Sequence, residues 1–270
     1  MLAAMRGDSI PVFVISLARA RERRQRIRAM LDSLGVPFTL VDGVDGAALA
    51  ADEIERNVDS RLVRIGIGRD LQPGEIGCAM AHRHAYAMIE RLDRPYALVL
   101  EDDAVIDRAA WQVISAIVED RPPFDLINLQ PLDSFIRRRA THSYGRFRVY
   151  PAIRAPSSTL AYLVTPRAAA VLAAEPRLGR TADWSSQVFA MRVAAVLPWL
   201  AVPSGGSLIG RRDNGKAPMS PVYRCLLAVR TAIERRRLEP IRHFARVHWP
   251  PLLFLRACIW RYASAKRPPR

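Results

Sequence analysis

Three consecutive carboxylates, Glu101-Asp102-Asp103, close the apolar run Tyr96-Ala97-Leu98-Val99-Leu100. A short apolar run bounded by polar residues predicts a buried strand, most readily one of a parallel sheet. Ligands of open α/β sheets bind beyond the carboxyl ends of the strands. Acids at that place are poorly sited for packing and well sited for chemistry. Side chains alternate along an extended chain, which would send Glu101 and Asp103 to one side. Two carboxylates, open positions and a phosphate-bearing substrate are how Mg²⁺ or Mn²⁺ is usually held, and the ion would relieve the repulsion within the triplet. The same acids would equally serve as a solvated strand end or as an acidic first turn for the next helix.

The elements that must position this triplet can be read on both sides of it. Ile10 to Ile15 predicts a first strand, and a basic loop with Arg19, Arg21, Arg23 and Arg24 is expected to follow. Ile27, Met30, Leu31 and Leu34 recur at helical spacing, and Gly35 is a natural stop for that helix. Pro37 to Val41 predicts a second strand, so the chain opens as a strand–helix–strand unit of the kind that begins nucleotide-binding α/β domains. Asp42-Gly43-Val44-Asp45-Gly46 comes next. Its acids are placed to meet a ribose or a base, and they are also ordinary turn formers. Pro73-Gly74 breaks the chain before a long helix reaching about Leu92, on which Glu75 and His82 are the polar residues that stand out. His82 reads either as a satisfied core histidine or as a group beside the site. Cys78 on the same helix reads as a small apolar filler.

After the triplet, a helix is predicted over Arg108 to Val118 and a strand over Phe124 to Leu129. Pro131 to Arg148, with Arg137, Arg138 and Arg139 together, reads as an irregular basic loop. Ser157 to Val164 predicts a strand, and Pro166 starts a helix, as proline in a first turn does. Thr181-Ala182-Asp183-Trp184 opens a further short helix. Asp183 there is either an N-terminal helix acid or a carboxylate aimed at a substrate. Val193 to Ala201 predicts a last buried strand.

The 270 residues carry a net charge of +15, and the charge is unevenly spread. From Gly210 to Arg270 there are 15 basic and 3 acidic residues, leaving only +3 for everything before. Such asymmetry points to an anionic partner. From Pro221 onward, aromatic and aliphatic residues interleave with arginine, which suits basic amphipathic helices lying on an anionic membrane surface. The division expected is a catalytic domain over residues 1–210 and a basic helical tail over 211–270. The three cysteines, Cys78, Cys225 and Cys258, are too few and scattered for a disulfide framework. With no apolar run of signal-peptide or transmembrane length, the sequence predicts a cytoplasmic protein, peripheral on the inner face of the cytoplasmic membrane.

Four stretches, in order, give a resemblance to a known family. They are Val14-Ile15-Ser16-Leu17 with Arg19 and the arginines after it, Gly74 to His82, Leu98 to Asp103, and Ser158 to Val164. Together they resemble glycosyltransferase family 25, which includes lipooligosaccharide galactosyltransferases and procollagen galactosyltransferases. The likeness runs from about Pro11 to Ile209 and leaves the tail outside. Ser16 stands where the family commonly has Asn, Ala81 where Ser is common before the His, and the stretch around Pro203 lacks an expected Gln.

The resemblance implies an α/β fold of the GT-A type, a nucleotide-sugar-binding domain with a mostly parallel central sheet flanked by helices. It implies that Glu101 and Asp103 hold Mn²⁺ or Mg²⁺ on the donor's diphosphate, where the ion offsets the charge of the leaving group. Arg19, Asp45, Glu75, His82 and Asp102 would line or support the nucleotide-sugar site. Transfer with inversion needs a base for the acceptor hydroxyl's proton, and Asp183 is the candidate. The function implied is transfer of galactose from a UDP-sugar to a lipopolysaccharide or lipooligosaccharide core or a similar lipid-linked glycan. Two alternatives use the same sequence differently. One is a metal-dependent nucleotidyl- or phosphotransferase. The other is a basic nucleic-acid-binding protein, which the concentration of charge in the tail speaks against.

Overall fold

The structure is a computed structural model that describes residues 10–67, 69–132, 134–137, 139–152, 157–179, 184, 188, 191–205 and 259–262. The strands are β1 (Val12–Ser16), β2 (Thr39–Asp42), β3 (Ala97–Glu101), β4 (Ala104–Val105), β5 (Leu126–Asn128), β6 (Ser134–Arg137), β7 (His142–Tyr144), β8 (Phe147–Pro151), β9 (Ala161–Val164), β10 (Val193–Leu197), β11 (Val202–Pro203) and β12 (Ile259–Tyr262). The helices are α1 (Arg21–Leu34), α2 (Ala51–Asn57), α3 (Ser60–Ile67), α4 (Pro73–Ile89), α5 (Arg108–Asp120) and α6 (Pro166–Ala173).

Eight strands form one sheet in the order β2-β1-β3-β9-β5-β10-β8-β7. β1 pairs in parallel with β2 and β3, and β10 in parallel with β5. β9 runs antiparallel to both of its neighbours, and β8 to both of its own. Six of the eight strands therefore point one way, and only β8 and β9 oppose them. The protein is of the expected α/β class, with a mainly parallel central sheet flanked by helices.

The alternation of the strands sorts the core into two layers. Val12, Val14, Leu98 and Leu100 face Ile27 and Leu31 of α1 and Ile114 and Ile117 of α5. Phe13, Ile15, Ala97 and Val99 face Ala81, Ala85 and Ile89 of α4 and Ala168 and Leu172 of α6. β1 is buried along its whole length, as a central strand covered on both faces must be. Truncating a fully buried leucine such as Leu98 or Leu100 to alanine would cost about 2–5 kcal/mol. The helices end where their sequences say they should. Gly35 caps α1 at φ 71°, Asp107 accepts the Ala110 N–H at the start of α5, and Thr165-Pro166 opens α6.

Two glycines let α4 approach the loop after β2. A Cβ on Gly46 would lie 1.6 Å from the Pro73 carbonyl oxygen, and one on Gly77 would lie 2.2 Å from that of Val44. Backbone thus packs directly on backbone, and α4 is carried to the carboxyl end of the sheet.

Several expectations need correction. Pro131 to Arg148 is not an irregular loop, because it contains β6 and β7 and runs into β8. Phe147 and Val149 alternate inward to the core, and Gly145 turns the β7–β8 hairpin at φ 58°. The strand expected over Ser157 to Val164 is only β9, because Ser158 at φ 94° cannot sit in a ladder. In the tail, Ile259–Tyr262 was expected in a helix and instead pairs antiparallel with β6 as β12. Its β-branched and aromatic residues carry strand propensity, and the edge strand β6 supplies the partner. The rest of the tail, the boundary expected at residue 210, and Asp183 lie outside the described residues. Among the described residues no helix is long and apolar enough to cross a membrane.

Candidate active site

Register places the site. Ser16 at the end of β1 lies opposite Asp42 of β2, and Ile15 lies opposite Glu101 of β3. Three neighbouring parallel strands therefore finish together with polar residues, the place where sheets of this kind bind ligands. β3 stops at Glu101, and Asp102-Asp103 forms a turn before β4. The strict alternation expected to run through Glu101 and Asp103 ends with the strand. A short ladder holds the turn: β4 pairs with β11, and the Ser204 N–H donates to the Asp103 carbonyl at 2.7 Å.

The three acids have three different environments. Asp102 is committed to the protein. It accepts a hydrogen bond from the Ser16 hydroxyl at 2.5 Å and forms a close ion pair with Arg23 of α1. Arg23 also reaches to 3.6 Å from Asp103. Glu101 accepts from the Thr159 hydroxyl at 2.6 Å and lies 3.6 Å from His82 Nε2. Burial pushes the Glu101 carboxyl up, but the adjacent His82 imidazole, the Thr159 hydroxyl and Arg23 outweigh it and hold the group below the usual glutamate range. Asp103 is 6% exposed, and its Oδ1 has no hydrogen-bond partner. Burial first, then the like charge of Glu101, push its carboxyl up to about 6 against the pull of Arg23.

A buried carboxylate oxygen left without a partner is costly to a fold that has no use for it. Beside a second carboxylate it is the kind of donor a hard divalent cation takes. The two acids expected to hold such an ion are close enough for the charge of Glu101 to act on Asp103, and Asp103 keeps one oxygen without a protein partner.

Around the acids the remaining candidates separate. His82 is 1% exposed on α4. Its Nδ1 lies 2.8 Å from the Tyr162 hydroxyl, which bonds onward to Tyr86 at 3.1 Å. Trp184 packs edge-on against Tyr162, with ring centroids 5.1 Å apart. Arg19 and Asp45 pair with each other at 2.9 Å on the surface, and Asp45 also caps the short turn Gly46–Ala48. Glu75 accepts two hydrogen bonds from Arg69, both 2.7 Å, and one from the Gln72 N–H at 2.8 Å. Burial pushes its carboxyl up, and these donors more than reverse the shift, leaving it below the usual range. Glu75 thus anchors the start of α4.

Arg24, one of the arginines after the first strand that the resemblance implies line the nucleotide site, donates to the carbonyls of Ser16 and Leu17 and to Asp42, tying the ends of β1 and β2 together. Other contributors were not singled out from sequence as site residues. Thr159 orients Glu101 and follows Ser158, whose positive φ is the kind of backbone strain that persists where the surroundings over-determine it. Ser158 is pinned by Gln130 at 2.5 Å, and its carbonyl by Asn128 at 2.7 Å. A polar Ser-Ser-Thr before an apolar strand was the available signal for this cluster. Cys78, read as apolar filler, is only partly buried, and its sulfur lies within 4.8 Å of ligand atoms of both His82 and Glu101.

Fold and site together define an α/β protein with an acidic centre at the carboxyl ends of a mainly parallel sheet. Comparison with known proteins gives the family. The family model described as glycosyltransferase family 25 (LPS biosynthesis protein) matches residues 9–177, and the chain belongs to that family. It is 34% identical over 114 residues to the human protein named inactive glycosyltransferase 25 family member 3, covering 40% of this chain and 19% of that one. It is 32% identical over 103 residues to procollagen galactosyltransferase 1-B of Xenopus laevis, covering 34% and 16% respectively. It is 27% identical over 175 residues to procollagen galactosyltransferase 1 of Danio rerio, covering 61% and 28%. The matched stretch spans between 16% and 28% of the length of these relatives.

Proposed function

We propose that this chain is a metal-dependent, inverting glycosyltransferase that moves galactose from UDP-galactose to a lipopolysaccharide or lipooligosaccharide core or a similar lipid-linked glycan. The observation that carries the reading is the buried, unpartnered carboxylate oxygen of Asp103 beside Glu101, at the strand ends of a family 25 chain. The galactosyl donor draws on the relatives named procollagen galactosyltransferases, and the acceptor class on the family's description. The nucleotide-sugar-binding fold would be of the GT-A type.

Glu101 and Asp103 would hold Mn²⁺ or Mg²⁺, which supplies counter-charge for the departing diphosphate. The chain's own residues do the rest. Thr159 fixes Glu101, while Arg23 and Ser16 neutralise Asp102, so that the triplet folds without three uncompensated charges. Arg19 and Asp45 at the mouth, with Glu75 and His82 on α4, would bound the nucleotide-sugar pocket. Asp183 would take the acceptor hydroxyl's proton onto a carboxylate oxygen. The tail, which carries most of the net charge, would lie on the anionic inner face of the cytoplasmic membrane, each basic residue contributing roughly 1 kcal/mol.

A donor panel tests the reading. Purified chain with Mn²⁺ is given each common UDP-, GDP- and CMP-sugar, and nucleotide release is followed with and without chelator. Chelator-sensitive UDP release from UDP-galactose is expected. A second reading, donor binding without transfer, draws on the human relative's name. It would appear as calorimetric binding of UDP-galactose with no release in the presence of any acceptor glycan. Phosphate or pyrophosphate release in place of UDP would replace the proposal with a phosphotransferase.

A further inference from the structure

Beside the oxygen ligands lies a cluster of different chemistry. Cys78 Sγ, a ring nitrogen of His82 and a carboxylate oxygen of Glu101 all lie within 4.8 Å of one another. Cys78 and His82 are four residues apart on α4 and so share one face of the helix. Glu101 meets them from the end of β3. His82 Nε2 is buried with no hydrogen-bond partner and faces Glu101 Oε1 at 3.6 Å, too far for a hydrogen bond.

The Tyr162 hydroxyl, 2.8 Å from His82 Nδ1 and 3.1 Å from the Tyr86 hydroxyl, can accept from Nδ1–H, which would leave the Nε2 lone pair for a metal. A cation lodged between Nε2 and the Glu101 carboxylate, now 3.6 Å apart, would draw a ligand atom from each. Donation from Nδ1–H to Tyr162 would also be the outer arrangement of metal-binding histidines, whose second ring nitrogen donates to a fixed partner. Thr159 fixes the carboxylate in the same way. Cys78 and Glu101 are partly exposed, which leaves a path from solvent.

We propose that Cys78, His82 and Glu101 form a three-ligand site for Zn²⁺, which differs in chemistry from the oxygen-only pair of Glu101 and Asp103 and shares Glu101 with it. Sulfur, imidazole and one carboxylate suit a borderline ion and disfavour Mg²⁺ or Mn²⁺. Tetrahedral ligands around zinc stand about 3.4–3.7 Å apart, so closing on the ion asks for a shift of about 1 Å in Cys78 or Glu101 side chains. Binding releases the thiol proton to solvent. The thiolate and the carboxylate then balance the ion's two positive charges, and a neutral complex suits a half-buried site. Three protein ligands leave a fourth position open, as in zinc sites that bind a water or a substrate group.

The test is optical and independent of sugar transfer. The full chain carrying Cys225→Ser and Cys258→Ser keeps Cys78 as its sole thiol. It is stripped with chelator and titrated with Co²⁺ as the probe. A near-ultraviolet thiolate-to-cobalt band that saturates at one equivalent and is displaced by Zn²⁺ is expected. Adding Cys78→Ser should remove it while circular dichroism stays unchanged. Should that variant not fold, metal content decides instead: one zinc per chain in the parent, retained through gel filtration, is expected. Absence of the band, its survival in Cys78→Ser, or no retained zinc overturns the site.

Discussion

Replacing Asp103 by asparagine should make the metal-free protein more stable, and the gain should grow with pH. The Asp103 carboxyl is held at about 6 against an ordinary value of 3.8. Each pKa unit is about 1.4 kcal/mol, so the charged form costs the fold about 3 kcal/mol once pH is well above 6. Because the folded value is raised, the protonated group's contribution is complete below the unfolded value and is lost as pH rises through the folded one. The penalty works out at about 1.5 kcal/mol at pH 5 and about 3 kcal/mol at pH 8. Asparagine is close in shape, keeps no charge to repel Glu101, and gives up the attraction of Arg23 at 3.6 Å. The net gain expected is therefore about 1–3 kcal/mol at pH 8. Urea denaturation of both proteins with chelator, at pH 5 and pH 8, measures it. The stability difference should widen by roughly 1.5 kcal/mol between the two pH values. A variant that is less stable than the parent at pH 8, or a difference that does not change with pH, would refute the account of the Asp103 environment.

Gly77→Ala should destabilise the chain by about 2–4 kcal/mol in thermal melting, because the new methyl would meet the Val44 carbonyl at 2.2 Å and backbone cannot yield as a side chain can. Asp183→Asn should leave UDP-galactose binding near normal in calorimetry while cutting turnover by about 10²–10⁴-fold; a smaller effect removes Asp183 from the base's role. Deleting Pro221 to Arg270 should abolish co-sedimentation with anionic vesicles, and retained binding would assign membrane contact to the folded part.

Much of the fold could be read locally. The opening strand–helix–strand unit, the long helix after Pro73-Gly74, and the strand ending in acids all follow from periodicity and stop signals within about ten residues of each element. Less legible was what depends on distant partners. Arg23 looked like one of several loop arginines, yet α1 carries it to Asp102, which is 79 positions further along the chain. Thr159 and Glu101 meet only because β9 inserts antiparallel beside β3. Cys78 read as filler because a four-residue spacing to His82 says which side of a helix they share, and only the sheet says that Glu101 is there too. The basic stretch before Tyr150 hid three strands because its arginines mask a short alternating pattern, which a buried Phe147 and Val149 reveal.

The central claim is that the acids ending β3 hold a divalent ion on a sugar diphosphate. Calorimetry of UDP-galactose binding to the wild-type chain, with Mn²⁺ and then with chelator, tests it most directly when paired with Asp103→Ala. The account predicts binding that requires Mn²⁺ and is lost in Asp103→Ala while the variant remains folded. Equal binding with and without the ion, or undiminished Mn²⁺-dependent binding in Asp103→Ala, would contradict it.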